Sequence, residues 1–426
     1  MSDSSSLIEN NDRVPSVNVL IAAHQAESTI QAAVDSVVAQ TYAHWSISIV
    51  DDGSRDATWE KLLEIASSDD RIHVEQIHHS GVSVTRNRLL ETSRGEFIFF
   101  LDADDVLETT ALDDLVSVAL KDNSDVVLGR TTRVTSSKSY ELPEVVKSGI
   151  YELKATTFVS SPELVHSLGA ANKLIKRELA QVVTFENSLA TAEDQPWLVA
   201  VYLAAAKIST AKRPTYRWIQ SNDPGARSLS SQVRSGDDIY FSAQLRSLQM
   251  SLHVIENSEC TSTDSRRLQI ALLQRSIVRD LVPGVVAAIQ NSSNENLLFI
   301  EEFVRVLNFI QSHDLGVSLA NELADVVVMS VFAQRKANAA KRNKIMKLRE
   351  NLLRLIDVKD ISETSATGLI SIGPTTFLVN TRKFVERMSH SNSHSAQGKF
   401  AFVQGLISTP NIIVTTARAG KFTTRF

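Results

Sequence analysis

Five consecutive apolar residues, Phe97-Ile98-Phe99-Phe100-Leu101, run directly into Asp102-Ala103-Asp104-Asp105. A segment apolar at every position suits a strand covered on both faces, as in parallel sheets flanked by helices. Such sheets collect ligands beyond the carboxyl ends of their strands, so these acids stand where chemistry is done. Two carboxylates one residue apart can share a hard divalent cation that keeps positions for phosphate oxygens and water. The same acids can equally cap a following helix, and the Asp-x-Asp pair alone does not choose.

The surrounding pattern is that of βαβ units. Val17–Ala22, Ile47–Asp51, Ile72–Ile77, Phe97–Leu101 and Val126–Gly129 read as strands separated by helical stretches, which implies a mostly parallel, doubly wound α/β sheet. Ser28-Thr29-Ile30-Gln31 has the form of a capping box, followed at helical spacing by Ile30, Ala33, Val34, Val37 and Val38. Asp51-Asp52-Gly53 closes the second strand on the same side of the sheet as Asp102 and Asp104, so two acidic strand ends face one crevice. Val82–Thr92 reads as a helix carrying Arg86, Asn87 and Arg88, and residues 131–160 as a weakly patterned, flexible or β-rich connection.

Composition narrows the class. The 426 residues are 43% hydrophobic, enough for roughly two or three packed domains. A net charge of −5 and a pI near 6.1 exclude a nucleic-acid binder that relies on bulk positive charge. A single cysteine, Cys260, rules out an intramolecular disulfide framework and a multi-cysteine zinc site, and fits a reducing compartment. The serine-rich start lacks the form of a signal peptide, and no apolar run is long enough to span a bilayer. A soluble or peripheral protein in the cytosol is expected.

Read together, Val17–Glu27, Ile49–Asp56, Gly81–Arg88, Gly95–Asp105 and Glu193–Trp197 resemble the family 2 glycosyltransferases. The resemblance runs over about residues 15–230 and implies a glycosyltransferase-A type sheet, with transfer of a sugar from a nucleotide-sugar donor, usually a UDP-sugar, with inversion. It implies that Asp102 and Asp104, flanking Ala103, hold Mn²⁺ or Mg²⁺ on the donor diphosphate, and that Asp52 accepts a hydrogen bond from the uracil ring. It places Arg86 and Asn87 toward phosphate or ribose, and Gly81 where the backbone approaches the nucleotide. Glu193-Asp194 matches the acid pair of the acceptor side, with Asp194 as general base and Glu193 orienting acceptor or base. Arg217, Arg227, Ser228 and Ser230 fall where relatives carry a segment that closes over the diphosphate, with a turn at Asp223-Pro224-Gly225. At the first strand's end the chain departs from the family pattern: Ala22-Ala23-His24-Gln25 precedes Ala26-Glu27, and His24 stands where an aromatic ring commonly stacks on the base. Ala22, His24 and Glu27 are therefore counted as donor-side residues. Asp105 reads as support for the turn and the following helix, and His78, His79, His390 and His394 as structural or solvated.

After Ser235 the texture changes to long amphipathic helices, Ile239–Ile255, Arg266–Gln290, Asn294–His313 and Leu319–Ile356, and then to a tail of short apolar runs. The expected organisation is a disordered start (1–13), a catalytic domain (14–235), a helical domain (236–360) and a β-rich, incomplete-looking tail (361–426). Among family members this layout is most similar to bacterial transferases that build wall teichoic acid and related cell-envelope polymers, which implies a glycopolymer or lipid-linked acceptor. The run Arg335, Lys336, Lys341, Arg342, Lys344, Lys347 and Arg349 contains no acid, and suits a polyphosphate acceptor, an anionic membrane face, a subunit contact in a homo-oligomer or a solvated face alike. A catalytically silent nucleotide-sugar-binding scaffold is the competing reading, prompted by the departures at Ala22, His24 and Gln25.

Overall fold

The computed structural model describes residues 14–220, 238–281, 299–313 and 315, together with the strand backbone of 367–372, 375–380, 414–418 and 421–425. The chain divides into two compact units. The first comprises Met1–Ser161, Gly169–Asn187 and Ala200–Asn222; the second comprises Pro162–Leu168, Ser188–Val199 and Asp223–Phe426.

The elements alternate as the sequence indicates: β1 (Val17–Ala23), α1 (Ile30–Val38), β2 (Trp45–Asp51), α2 (Thr58–Ser68), β3 (Ile72–Gln76), α3 (Val82–Thr92) and β4 (Phe97–Phe100). There follow β5 (Val106–Leu107), α4 (Ala111–Asp122), β6 (Val126–Val134), β7 (Ser139–Glu141), α5 (Pro143–Lys147), β8 (Lys173–Lys176), α6 (Arg177–Ala180), α7 (Asp194–Ala204) and β9 (Ile208–Ile219). The sheet order is β3-β2-β1-β4-β8-β6-β9-β5, with β7 paired to β6. The strands β3, β2, β1 and β4 are mutually parallel, and β8 joins β4 and β6 antiparallel.

The core explains this arrangement. All four residues of β4 are buried, and β1 is buried along nearly its whole length, as a strand with helices on both faces requires. On one face Ile30, Ala33, Val34 and Val37 of α1 pack with Val17, Val19 and Ile21. Each of these Val and Ile side chains contributes about 1.5–3 kcal/mol when fully buried. The capping box is not used. Thr29 is the N-cap residue but makes no side-chain cap bond, because the turn before α1 is held from elsewhere: Thr58 Oγ1 takes the Ala26 N–H at 2.9 Å and Asp56 takes that of Glu27 at 3.2 Å.

Residues 131–160 are more ordered than their composition suggests. Strand β6 continues to Val134, and β7 turns back on it through Thr132↔Glu141 and Val134↔Ser139. Gly129 makes this crossing feasible, since a β-carbon there would fall 2.0 Å from Asn172 Oδ1 and 2.1 Å from Thr215 Oγ1. Those two polar atoms hydrogen-bond each other at 2.8 Å, so Asn172 ties β8 to β9.

In the second unit α8 (Asp238–Glu256), α9 (Ser262–Ser276) and α10 (Phe299–Ser312) bury Phe241, Leu248, Leu252, Leu268, Leu272, Phe303 and Ile310. The expected helix at 266–290 is described as far as Leu281; the one at 319–356, the basic run 335–349 and the apolar run 400–407 lie outside the described residues. Two antiparallel hairpins, Thr367–Ile372 with Thr375–Asn380 and Val414–Arg418 with Lys421–Arg425, occupy the tail. Among the described residues no helix is long and apolar enough to cross a membrane.

Candidate active site

Three parallel strand ends build the site. Strand β1 lies between β2 and β4, and the Asp52 N–H donates to the Ala23 carbonyl at 2.8 Å while the Leu101 N–H donates to Leu20 at 3.0 Å. The acidic ends of β2 and β4 therefore flank the end of β1.

The two acids after β2 have separate tasks. Asp51, fully buried, accepts from the Ser54 hydroxyl, from the Ser54 N–H at 3.3 Å and from Gln76 Nε2 at 2.8 Å, so it orders the turn. Asp52, 4% exposed, accepts the main-chain N–H groups of Ser80 at 2.7 Å and Gly81 at 2.9 Å. These bonds orient the carboxylate and leave lone pairs for a ligand. Gly53, at φ +64°, lets the loop before α3 approach: a β-carbon there would meet His79 N at 2.7 Å.

That approach brings His79 against Asp52 with its ring largely exposed, in keeping with the structural or solvated residue expected from the sequence. The rings of His24 and His79 stack with centroids 4.5 Å apart and an interplanar angle of 21°. His24 Nδ1 lies 2.9 Å from the Asp52 carbonyl, and His79 Nδ1 lies 2.9 Å from Asp52 Oδ2. The possible ligand atoms of His24, Asp52 and His79 all lie within 4.8 Å of one another. Nearly parallel rings direct their in-plane lone pairs side by side, so one ion cannot lie in both ring planes. The stack instead offers a flat aromatic face beside a carboxylate. Gly81, at φ +90°, has no heavy atom within 4 Å of the point a β-carbon would occupy, leaving open space before α3.

At the end of β4 the Asp102 side chain is 44% exposed and lies 3.4 Å from a guanidinium nitrogen of Arg86. Arg86 is only 11% exposed, its guanidinium 5.6 Å from the Phe185 ring centroid. Asp104 keeps an exposed edge in an otherwise enclosed position, and burial together with the Asp102 charge raises its pKa to about 6. Asp102 and Asp104 fit a hard divalent cation: both are oxygen donors open to solvent, and the repulsion that raises Asp104 is what a bound cation relieves.

Asp105 supports the turn as expected, its N–H donating to the Asp102 carbonyl at 3.1 Å, and its side chain anchors the acidic loop to β9. It is 2% exposed, accepts the Tyr216 hydroxyl at 2.8 Å and accepts the Ile219 N–H at 2.7 Å. The Tyr216 oxygen in turn accepts the Asp102 N–H at 3.2 Å. Burial, then the charges of Asp102 and Asp104, push Asp105 up to about 8, and burial lifts the Tyr216 phenol well above its ordinary value. Tyr216 escaped the sequence reading because its only signal was an aromatic residue in a strand.

The remaining candidates are distributed unevenly. Both ends of the Asn87 amide bond the chain, Phe185 N–H at 2.8 Å and Phe185 carbonyl at 2.9 Å, so Asn87 braces that segment beside Arg86. Glu27 is engaged with the start of α2, accepting the Ala57 N–H at 3.3 Å. Ala22 is half-buried at the end of β1, and Ala103 packs against the core. Arg217 faces Glu108 at 3.9 Å across β5 and β9. Arg227, Ser228 and Ser230 lie outside the described residues. Glu193 and Asp194 belong to the second unit, where Glu193 is 4% exposed and Asp194, half-buried, opens α7.

Residues 18–182 match the model of Glycosyl transferase family 2. This segment is a family 2 glycosyltransferase domain. The domain is similar to the UDP-Glc:alpha-D-GlcNAc-diphosphoundecaprenol beta-1,3-glucosyltransferase WfgD of Escherichia coli, 35% identical over 113 residues covering 26% of this chain and 44% of that protein. It is also similar to the poly(ribitol-phosphate) beta-glucosyltransferase of Bacillus spizizenii, 27% identical over 49% of this chain and 32% of that protein. The chain thus spans about half or less of these curated relatives. Residues 1–349 of S. aureus TarS in complex with UDP-GlcNAc superpose with a TM-score of 0.58 at 18% identity, covering 86% of this chain and 97% of that one, a likeness of fold. The glycosyltransferase domain thus carries the α/β, glycosyltransferase-A type sheet expected from its motifs.

Proposed function

We propose that the protein is a metal-dependent inverting glycosyltransferase that moves a sugar from a UDP-sugar to a hydroxyl of a cell-envelope glycopolymer or lipid-linked acceptor, working at the cytoplasmic side. The observation that carries this reading is the placement of Asp52 and of Asp102 and Asp104 at the ends of two parallel strands that flank β1 in one unit, with Arg86 of α3 beside Asp102. The named activities of the relatives, on undecaprenol-linked and poly(ribitol-phosphate) acceptors, supply the acceptor class.

In this reading Asp102 and Asp104 hold Mn²⁺ or Mg²⁺, which when bound neutralises charge on the departing diphosphate. Arg86 adds a fixed cation beside Asp102, its planar fork suited to phosphate oxygens. Asp52 accepts a ring N–H of the base, with His24 and His79 as its stacking face. Asp194 takes the proton from the acceptor hydroxyl as it attacks opposite the leaving group, and Glu193, shielded from solvent, orients it.

The test is UDP release from UDP-glucose, UDP-galactose, UDP-GlcNAc and UDP-GalNAc with Mn²⁺, with and without poly(ribitol phosphate) or an undecaprenol-linked sugar. Acceptor-stimulated release abolished by Asp194→Asn is expected. Tight donor binding with no release under any pairing would favour the silent-scaffold reading instead.

A further inference from the structure

We propose that Ser247 of α8 is a positioning residue for the acid pair Glu193-Asp194, so that the helical extension takes part in the transfer step. The inference rests on the reading of Asp194 as general base, and concerns a residue beyond the family-matched segment 18–182.

The turn that presents the acids is strained. Ala192 adopts φ +61°, a left-handed conformation that a residue with a β-carbon rarely takes and that persists only where surroundings impose it. Its carbonyl is the hub of the turn. It accepts the Gln195 N–H at 3.2 Å, closing residues 192–195, and accepts the Ser247 hydroxyl at 2.6 Å.

Ser247 is fully buried within α8, between the buried Leu245 and Leu248. A buried helical serine ordinarily satisfies its hydroxyl on the carbonyl one turn back in its own helix, as Ser251 does on Ser247 at 2.8 Å. Ser247 instead reaches a turn 55 residues earlier in the chain. Within the turn so held, Thr191, Glu193 and Gln195 are buried, while Asp194 is half-buried. A general base displaced by about 1 Å loses rate on the order of a hundredfold, so fixing this turn bears on turnover more than on donor affinity.

The experiment uses the full chain with the donor and acceptor that turn over in the screen above, and compares Ser247→Ala, Ala192→Gly, the double variant and Asp194→Asn. Ser247→Ala is expected to lower kcat about tenfold with the donor KM within twofold, and to speed amide hydrogen exchange across 191–195. Glycine accepts φ +61° without strain, so the same Ser247→Ala change made on Ala192→Gly is expected to cost less than threefold. Unchanged kcat or unchanged exchange in Ser247→Ala, or an undiminished loss in the glycine background, would overturn the proposal. Turnover of Asp194→Asn at the wild-type rate would overturn the general-base reading and this inference with it; an inactive Asp194→Asn beside a fully active Ser247→Ala would remove only the inference.

Discussion

Replacing Tyr216 with Phe deletes one oxygen and tests how the acidic loop is held. That oxygen donates to Asp105 at 2.8 Å and accepts the Asp102 N–H at 3.2 Å, in a residue 3% exposed. Asp105 keeps the Ile219 N–H, but the Asp102 N–H loses its acceptor. A lost hydrogen bond costs about 1 kcal/mol and a stranded buried donor adds about 1–3 kcal/mol. The half-exposed Asp102 side chain admits water nearby, which favours the lower end, about 2–3 kcal/mol in all. For a unit of this size the loss corresponds to a fall of about 4–12 °C in melting temperature. Because Asp102 is one of the two proposed metal ligands, Mn²⁺-dependent affinity for UDP is expected to fall about tenfold in parallel. Thermal unfolding followed by circular dichroism and calorimetric titration with UDP measure the two effects. A Tyr216→Phe protein within about 0.5 kcal/mol of wild type, with unchanged UDP affinity, would refute the coupling of β9 to the loop.

Other expectations follow from the same geometry. Asp104 and Asp105 titrate at about 6 and about 8 in the metal-free fold, above the ordinary carboxylate value, so their ionisation opposes folding. That penalty is absent below about pH 4 and grows as pH rises through both values, so the metal-free chain should melt higher near pH 5.5 than near pH 8.5 and Asp105→Asn should shrink the difference; an unchanged difference contradicts the assignment. Gly53→Ala places a β-carbon 2.7 Å from His79 N at a positive φ, and should lower stability by about 2 kcal/mol and weaken UDP binding, both read by the same two assays. His79→Ala removes half of the imidazole stack and should cost UDP affinity about fivefold with little change in melting temperature, since the ring is largely exposed; full retention of affinity would exclude His79 from the base pocket.

Much of the glycosyltransferase domain was legible because its signals are local. The unbroken apolar run of β4 announces a doubly covered strand, and the acids that follow sit at its carboxyl end by chain connectivity alone. The capping box before α1 misled because residues of the next βα turn, Asp56 and Thr58, satisfy that backbone first, across about thirty positions. Two contacts are invisible in the sequence for a related reason. His79 reaches Asp52 only because Gly53 lets two loops touch, and Tyr216 reaches Asp105 only because β9 returns to the acidic loop 111 residues later. The bracing of Asn87 against Phe185, a partner 98 residues away, is likewise indicated by no local pattern.

The central claim is that Asp102 and Asp104 bind the donor diphosphate through a divalent cation. Calorimetric titration of the full chain with UDP, in Mn²⁺ and in EDTA, for wild type and Asp104→Ala, addresses it without knowledge of the sugar or acceptor. Wild-type UDP affinity is expected to fall at least tenfold in EDTA, and that of Asp104→Ala to be equally low with and without Mn²⁺. Equal affinity of wild type in both buffers, or an Asp104→Ala protein that still responds fully to Mn²⁺, would contradict it.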